Sequence, residues 1–366
     1  MVRSKTRLQQ VGRLLRLFLP LLFLPLLLLL WLIRPDWPPM PLVAEPSSQA
    51  APSLAPQQDA HFPVVIRTAH GEAWIAQRPE RVVTLGAAAE DWTLQLGVVP
   101  LAIEPHYWGG DQQGYLPWFR AELEAQGQPL PEIISSYPEL DVERLLALRP
   151  DLILAPQSGL TRETYQQLSQ LAPVIGYPDR PWLTPVEDQV RLIATALGQP
   201  ERGEALLAER EALLAAYAQA NPHFAGRSLA YINAASRVGN LSVYVRGDPR
   251  VDVLHALGFV DLPAFANRSA SFGHFAALLG LEHSHQLDQA DLLISWYSSE
   301  QSRHQVESLP LIQRLPAIQE GRYLAMTDPA LIMASSYGSL LSLRWSLAEI
   351  VTQLNQILLP TTDEAQ

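Results

Sequence analysis

The chain has 366 residues, 48% of them hydrophobic and 17% charged, which suits a folded protein of about two domains and not a disordered one. Its 26 Lys and Arg face 37 Asp and Glu, a net charge of -11; six of the bases and none of the acids lie in the first 34 residues, so the remainder carries about -17 and is a poor partner for nucleic acid. There is no cysteine and the only lysine is Lys5, which excludes disulfides, thiolate metal sites, a lipidated cysteine and any lysine chemistry in the folded part.

Arg3, Lys5, Arg7, Arg13 and Arg16 precede an uncharged run from Leu17 to Ile33. This is the pattern of a secretory signal or signal anchor. Leu14 to Ile33 is long enough to cross about 30 Å of hydrocarbon if Arg16 snorkels. The positive-inside rule keeps the basic end in the cytoplasm and exports the rest. No small-x-small cleavage site stands near the end of the run, so residues 14–33 read as an uncleaved inner-membrane anchor, with a cleaved signal as the alternative. Residues 34 to 63 carry eight prolines and no hydrophobic period, and read as a semi-extended tether.

The body states one pattern twice. Phe62 to Arg67 and Glu72 to Ala76 predict a hairpin around His70-Gly71. Arg81 to Leu85 is a buried strand, Ala87 to Leu96 a helix stopped by Gly97, and Val98 to Ile103 the next strand. Asp141 to Leu148 is a helix, Asp151 to Leu154 a strand, Thr161 caps a helix to Leu171, and Pro173 to Ile175 is a strand. Later, Ser228 to Ile232 is a strand and Asp252 to Leu257 a helix stopped by Gly258. Short helices are expected near Phe275 to Leu279 and His283 to Leu287. Ala290-Asp291-Leu292-Leu293-Ile294 then repeats Pro150-Asp151-Leu152-Ile153-Leu154. A helix near Leu309 to Ile318 leads into the strand Arg322 to Ala325, and a helix from Ser339 to Leu358 closes the chain.

Alternating strands and helices imply parallel sheets with helical cover. Between the halves, apolar residues from Val186 to Leu197 fall on one helical face. Pro200 then opens a helix to about Gln219, which predicts a stiff strut and small changes in lobe angle rather than a wide hinge. The expected fold class is α/β, with two Rossmann-like lobes joined by one long helix and a ligand cleft between them. The expected division is a signal segment over 1–34, a Pro-rich linker over 35–61 and a lobe over 62–185. A helical connector over 186–221, a second lobe over 222–360 and a tail over 361–366 complete it.

Several stretches together resemble the iron–siderophore and corrinoid class of substrate-binding proteins of ATP-driven importers. These are Arg78-Pro79-Glu80-Arg81-Val82-Val83, Leu96-Gly97, the run from Glu139 to Leu154, Leu257-Gly258-Phe259, Leu315 to Arg322 and Leu341 to Leu347. Their order and spacing cover nearly all of residues 62 to 359. The resemblance implies two α/β lobes on a helical backbone, an ABC importer permease as partner, and no enzymatic activity. The ligand it implies is an iron chelate, with no resident cofactor. Members of that family carry a lipid-bearing cysteine or a cleaved signal; this chain has no cysteine and a long apolar segment, so residues 14–33 are the expected means of retention. A corrinoid or haem receptor of the same fold, or a membrane-tethered protein-interaction scaffold, are the alternatives.

In open parallel sheets ligands bind beyond the carboxyl ends of the strands. That rule selects Trp92, His106, Tyr107, Trp108, Ser158, Trp182 and Arg237. It also selects Trp296 and Tyr297, with Tyr244, Arg246 and Arg303 in nearby loops. Gly86, Ala87, Asp91, Gln157, Tyr177 and Arg180 share these turns. Aromatic rings offer flat apolar walls for a bulky chelate, and arginines can meet anionic groups. Glu90 and Glu300 are candidate permease-docking carboxylates, with Glu122 and Glu124 behind them. No direct metal site is expected: His283-Ser284-His285 reads as a solvated helix start, and His106 is the one histidine at a strand end. G-x-S-x-G, G-x-G-x-x-G, P-loop and H-E-x-x-H motifs are absent, so no residue set asks for catalysis.

Overall fold

The computed structural model describes residues 60–135, 139–237, 239–270 and 276–359, with side chains for all of these except 234–237. The expected membrane anchor, nearly all of the linker and the tail lie outside the described residues. Among the described residues, no helix is long and apolar enough to cross a membrane, and no three His, Asp or Glu side chains converge to hold a metal ion.

An antiparallel hairpin, β1 (Val64–Thr68) and β2 (Gly71–Ile75), opens the body. Five short strands follow: β3 (Val82–Thr84), β4 (Ala102–Ile103), β5 (Glu132–Ile133), β6 (Leu152–Leu154) and β7 (Val174–Ile175). All pair in parallel, in the spatial order β5-β4-β3-β6-β7. Side chains alternate across the sheet. Val82, Ile103, Leu152 and Leu154 join the core under α1 (Ala89–Gln95) and α2 (Pro117–Ala125). Val83, Ala102, Ile153 and Val174 join the core under α3 (Val142–Leu148) and α4 (Arg162–Leu168). With both faces covered, β3, β4, β6 and β7 are buried at every position, which is why they read as unbroken apolar runs. Asp141 and Thr161 cap α3 and α4 through the amides of Arg144 and Thr164.

The connector is α5 (Val186–Ala196) followed by α6 (Pro200–Ala220), whose 21 residues span about 30 Å. Leu206 and Leu207 pack into the first lobe's core and Leu214 into the second's. Between them Arg210 is buried and donates from Nε to Gly338 O at 2.8 Å. A Cβ on Gly203 would fall 2.6 Å from Ala194 Cβ, so the two connector helices touch through small residues.

The second lobe carries β8 (Ser228–Arg237), β9 (Asn240–Tyr244), α7 (Pro249–Ala256), β10 (Val260–Asp261), β11 (Ala276–Gly280), β12 (Leu292–Trp296), α8 (Glu300–Glu307), two four-residue helices, α9 (Pro310–Gln313) and α10 (Pro316–Gln319), and β13 (Tyr323–Met326). The sheet order is β11-β9-β8-β12-β13, with β10 on the first residues of β8. β8, β10, β12 and β13 pair in parallel, whereas β9 runs opposite to them and pairs antiparallel with both β8 and β11. Three expectations change here. The strand from Ser228 continues to Arg237 and turns back as a hairpin, with Gly239 at φ +79°. The short helix expected near Phe275 to Leu279 is instead the edge strand β11, because the free edge of β9 supplies its backbone partners from Ala276↔Tyr244 to Gly280↔Asn240. The helix expected near Leu309 to Ile318 is divided at Pro316, which has no N–H to extend a preceding helix.

The last two helices, α11 (Pro329–Tyr337) and α12 (Leu340–Leu358), return across the molecule. Leu331, Ile332, Leu343, Leu347 and Leu354 belong to the second core, whereas Ala334, Tyr337, Leu340 and Leu341 lie in the first. The strut is therefore backed by a second bridge. The fold is thus two α/β lobes on a helical spine.

Candidate functional site

The turns at the carboxyl ends of β3 and β6 are locked to each other. Leu85 N donates to Leu154 O at 2.8 Å and Ala87 N to Gln157 O at 2.9 Å. A Cβ on Gly86 would lie 2.4 Å from Gln157 O, and its φ is +82°, so only glycine allows this approach. Gln157 is buried and holds the far wall: its amide nitrogen donates to Trp182 O at 3.0 Å and its oxygen accepts from Thr184 N at 3.0 Å. Trp182 N donates to Ser158 O at 3.1 Å. Trp182 adopts φ +61°, and its indole lies over Gly159, where an added Cβ would meet Nε1 at 2.5 Å. The indole remains 41% exposed and walls a cavity of about 840 Å³ with Gly86, Glu104, Ser158 and Thr161. That volume lies within the range of small-molecule sites, about 300–1,000 Å³.

Beside this cavity lies a buried polar network between the lobes. His106 Nε2 stands 3.0 Å from Glu90 Oε1, and Tyr337 OH donates to the same oxygen at 3.0 Å. Asp91 accepts from Ser339 Oγ at 2.5 Å and from Trp118 Nε1 at 2.9 Å. Glu90 and Asp91 belong to the first lobe, and Tyr337 and Ser339 join the last two helices. Burial, then the adjacent Glu90 charge, pushes the Asp91 carboxyl well above its ordinary value, against the bonds from Ser339 and Trp118. Burial alone would lower the His106 pKa; Glu90 and, further off, Glu104 outweigh it and raise it. Burial followed by the two carboxylates raises the Tyr337 phenol, which stays protonated and donates.

The second lobe meets the first through aromatic rings. Trp108 and Trp296 lie with centroids 5.7 Å apart at 54°. Trp296 Nε1 donates to Tyr244 OH at 2.9 Å, and Tyr244 is buried under the Arg250 guanidinium, 4.0 Å from its ring centre. Arg250 is paired with Asp248 at 2.8 Å. Burial would lower its pKa, but Asp248 holds it above the ordinary arginine value. Gly109 sits against α11, where a Cβ would meet Met333 Cγ at 2.5 Å, so the loop carrying Trp108 rests on the bridging helix.

The remaining sequence candidates divide by exposure. Tyr107 is 64% exposed beside Trp108, and Ser158 lines the cavity while donating to Ala155 O at 2.8 Å. Trp92 does not face the cleft: α1 turns its ring into the core, fully buried. Tyr297 is also buried, its hydroxyl 2.5 Å from that of Tyr323, because it follows Trp296 on the opposite face of β12. Tyr177 bonds His70 at 2.7 Å and secures the hairpin instead. Arg246 pairs with Asp261 at 3.4 Å, since the β8–β9 hairpin carries it back to the amino end of β8. Arg303 is engaged by Glu307 at 2.8 Å and Glu300 at 3.7 Å on its own helix. The side chain of Arg237 lies outside the described residues. Glu90 is buried in the network above and cannot meet a partner protein, whereas Glu300 is exposed and accepts from Thr327 Oγ1 at 2.6 Å. Strand-end reasoning named Gln157 only among the accompanying turn residues, and it missed Glu104 and Tyr337. Of these, Glu104 directly follows β4, and its place after a strand was a usable signal.

Two α/β lobes on a helical spine, with a cavity at the strand ends of the first, are the architecture of a ligand-binding protein. The chain belongs to the periplasmic binding protein family, whose model matches residues 118–330. It is a binding protein, not an enzyme. It is 26% identical over 260 residues to the Fe(3+) dicitrate-binding periplasmic protein FecB of Escherichia coli strain K12, covering 71% of this chain and 80% of that one. It is 24% identical over 155 residues to the vitamin B12-binding protein of Salmonella typhimurium, covering 42% of this chain and 51%, about half, of that relative's length. Streptococcus pneumoniae PiaA in complex with ferrichrome superimposes at TM-score 0.73 with 26% identity, covering 81% of this chain and 98% of that one. Staphylococcus aureus SirA complexed with staphyloferrin B shares the fold at TM-score 0.63 and 21% identity, covering 81% of this chain and 98% of that one.

Proposed function

We propose that this chain is an exported receptor that captures a ferric-siderophore-type chelate between its lobes and presents it to the permease of an ABC importer. The observation that carries the reading is the cavity of about 840 Å³ at the carboxyl ends of the first sheet, walled by the clamped Trp182 indole. The cavity is lined by the first lobe, and the second lobe meets that lobe through the Trp108–Trp296 contact. Of the aromatic candidates, Trp108, Trp182 and Trp296, with Tyr107, remain for the ligand; of the docking carboxylates, Glu300 remains, with Glu122 and Glu124 on α2 for the first lobe. Residues 14–33 would hold the receptor at the inner membrane with its body in the periplasm. Similarity to a ferric dicitrate receptor over most of both chains favours an iron chelate. The shorter match to vitamin B12 receptors keeps a corrinoid as the second reading.

The test is titration of the purified chain with ferric hydroxamate, catecholate and carboxylate chelates, haem and a corrinoid, read by tryptophan fluorescence. Saturable quenching by a ferric chelate is expected. Saturation by the corrinoid alone selects the second reading, and no saturation by any of them refutes both.

A further inference from the structure

The charge lining the cavity narrows the ligand class. Two carboxylates, Glu104 and Glu139, line it, and among the described residues no arginine or lysine does. The remaining polar lining is Ser158, Thr161, Thr164 and Gln167, all uncharged. Glu104 is built into the site: one of its oxygens accepts from the Gly86 amide at 3.0 Å. That amide ends β3, where a bound anion would otherwise find a backbone donor. Among the described second-lobe arginines that could serve an anion, Arg246 is paired with Asp261, Arg250 with Asp248 and Arg303 with Glu307 and Glu300. At long range, a body near -17 repels anions further.

We infer that this cavity takes an uncharged or cationic metal chelate and rejects polyanionic ones, with Glu104 setting the selectivity. The inference rests on the reading of the cavity as the chelate site. The chemistry that fits is the trihydroxamate kind, in which three singly charged hydroxamates cancel the charge of Fe(III) and a pendant ammonium adds one positive charge. Three doubly charged catecholates leave a net charge of minus three, which the carboxylates oppose. Uncharged hydroxyls can hydrogen-bond the neutral chelate's rim, and Trp182 covers its apolar face.

The experiment uses the full-length chain and four probes: a neutral ferric trihydroxamate, one with a pendant ammonium, ferric tricatecholate and ferric dicitrate. Affinities are measured by fluorescence quenching at low and high salt. The neutral or cationic probe is expected to bind at least about 100-fold tighter than the tricatecholate, with a gap that shrinks as salt rises. Glu104→Gln, which retains an oxygen for the Gly86 amide, is expected to narrow that ratio by about tenfold. Glu139→Gln, at an exposed position, narrows it less and guards against a folding defect in the first variant. Tight binding of the tricatecholate or dicitrate, above all if abolished by Arg237→Ala, overturns the charge inference and leaves the receptor reading standing. An unchanged ratio in both Gln variants also overturns it. Failure of all four probes overturns the chelate reading itself.

Discussion

Removing the Asp91 carboxyl tests whether the lobes are tied through the buried network. Asp91→Ala leaves Trp118 Nε1 and Ser339 Oγ without their acceptor in an environment where Asp91 and Ser339 are fully buried. Each orphaned donor costs about 1–3 kcal/mol, offset in part because a buried carboxyl no longer has to be desolvated. The expected loss is about 3 kcal/mol. Over roughly 300 folded residues at about 2.1 cal/mol/K each, that lowers Tm by about 5 °C. Ser339→Ala loses the same bond and also the cap on α12, where Ser339 Oγ accepts from Ser342 N at 3.0 Å; about 2 kcal/mol is expected. The double variant should fall short of the sum by about 1–2 kcal/mol, the coupling of one buried bond. Urea unfolding of the four proteins in the cycle measures it. A coupling within about 0.3 kcal/mol of zero would refute the argument that this bond joins the lobes.

Further outcomes follow from the same geometry. The raised His106 pKa means that the Glu90 tie contributes in full below the ordinary histidine value of about 6.5 and is lost as pH rises through the raised one. His106→Gln should therefore flatten the decline in stability on the alkaline side in denaturation curves taken from pH 5 to 9; parallel curves would count against it. The raised Asp91 pKa also costs stability with rising pH, but its window opens from about pH 4, the ordinary aspartate range, so Asp91→Asn is expected to act at lower pH. Gly159→Ala should displace the exposed Trp182 indole at a stability cost below about 1 kcal/mol, while weakening chelate binding as much as Trp182→Ala does. A larger melting shift than binding loss would assign Trp182 to packing alone. Trp296→Ala should weaken the chelate more than tenfold without unfolding its lobe; unchanged affinity would remove it from the site.

The local sequence pattern of residues 62 to 359 carried the two α/β lobes, the cap at Thr161 and the long connector helix, because each depends on neighbours within one element. The rule of strand carboxyl ends reached Ser158 and Trp182, which line the cavity, for the same reason: it needs only the end of a strand. It misplaced Trp92 and Tyr297, since which face a side chain takes after a strand is decided by the helix or pleat that follows. The antiparallel β9 and β11 were illegible in part, as an edge strand is defined by a partner's unpaired backbone and not by its own composition.

Sequence by itself therefore determined the lobes, the spine and the chemical supply of rings and acids. Tertiary structure alone decided that Glu90 meets Tyr337 and Asp91 meets Ser339, pairs 247 and 248 residues apart. It alone set Glu104 on the Gly86 amide within the cavity. The reason is that periodicity reports burial one element at a time, whereas the desolvation and pairing of a charge depend on every element packed around it.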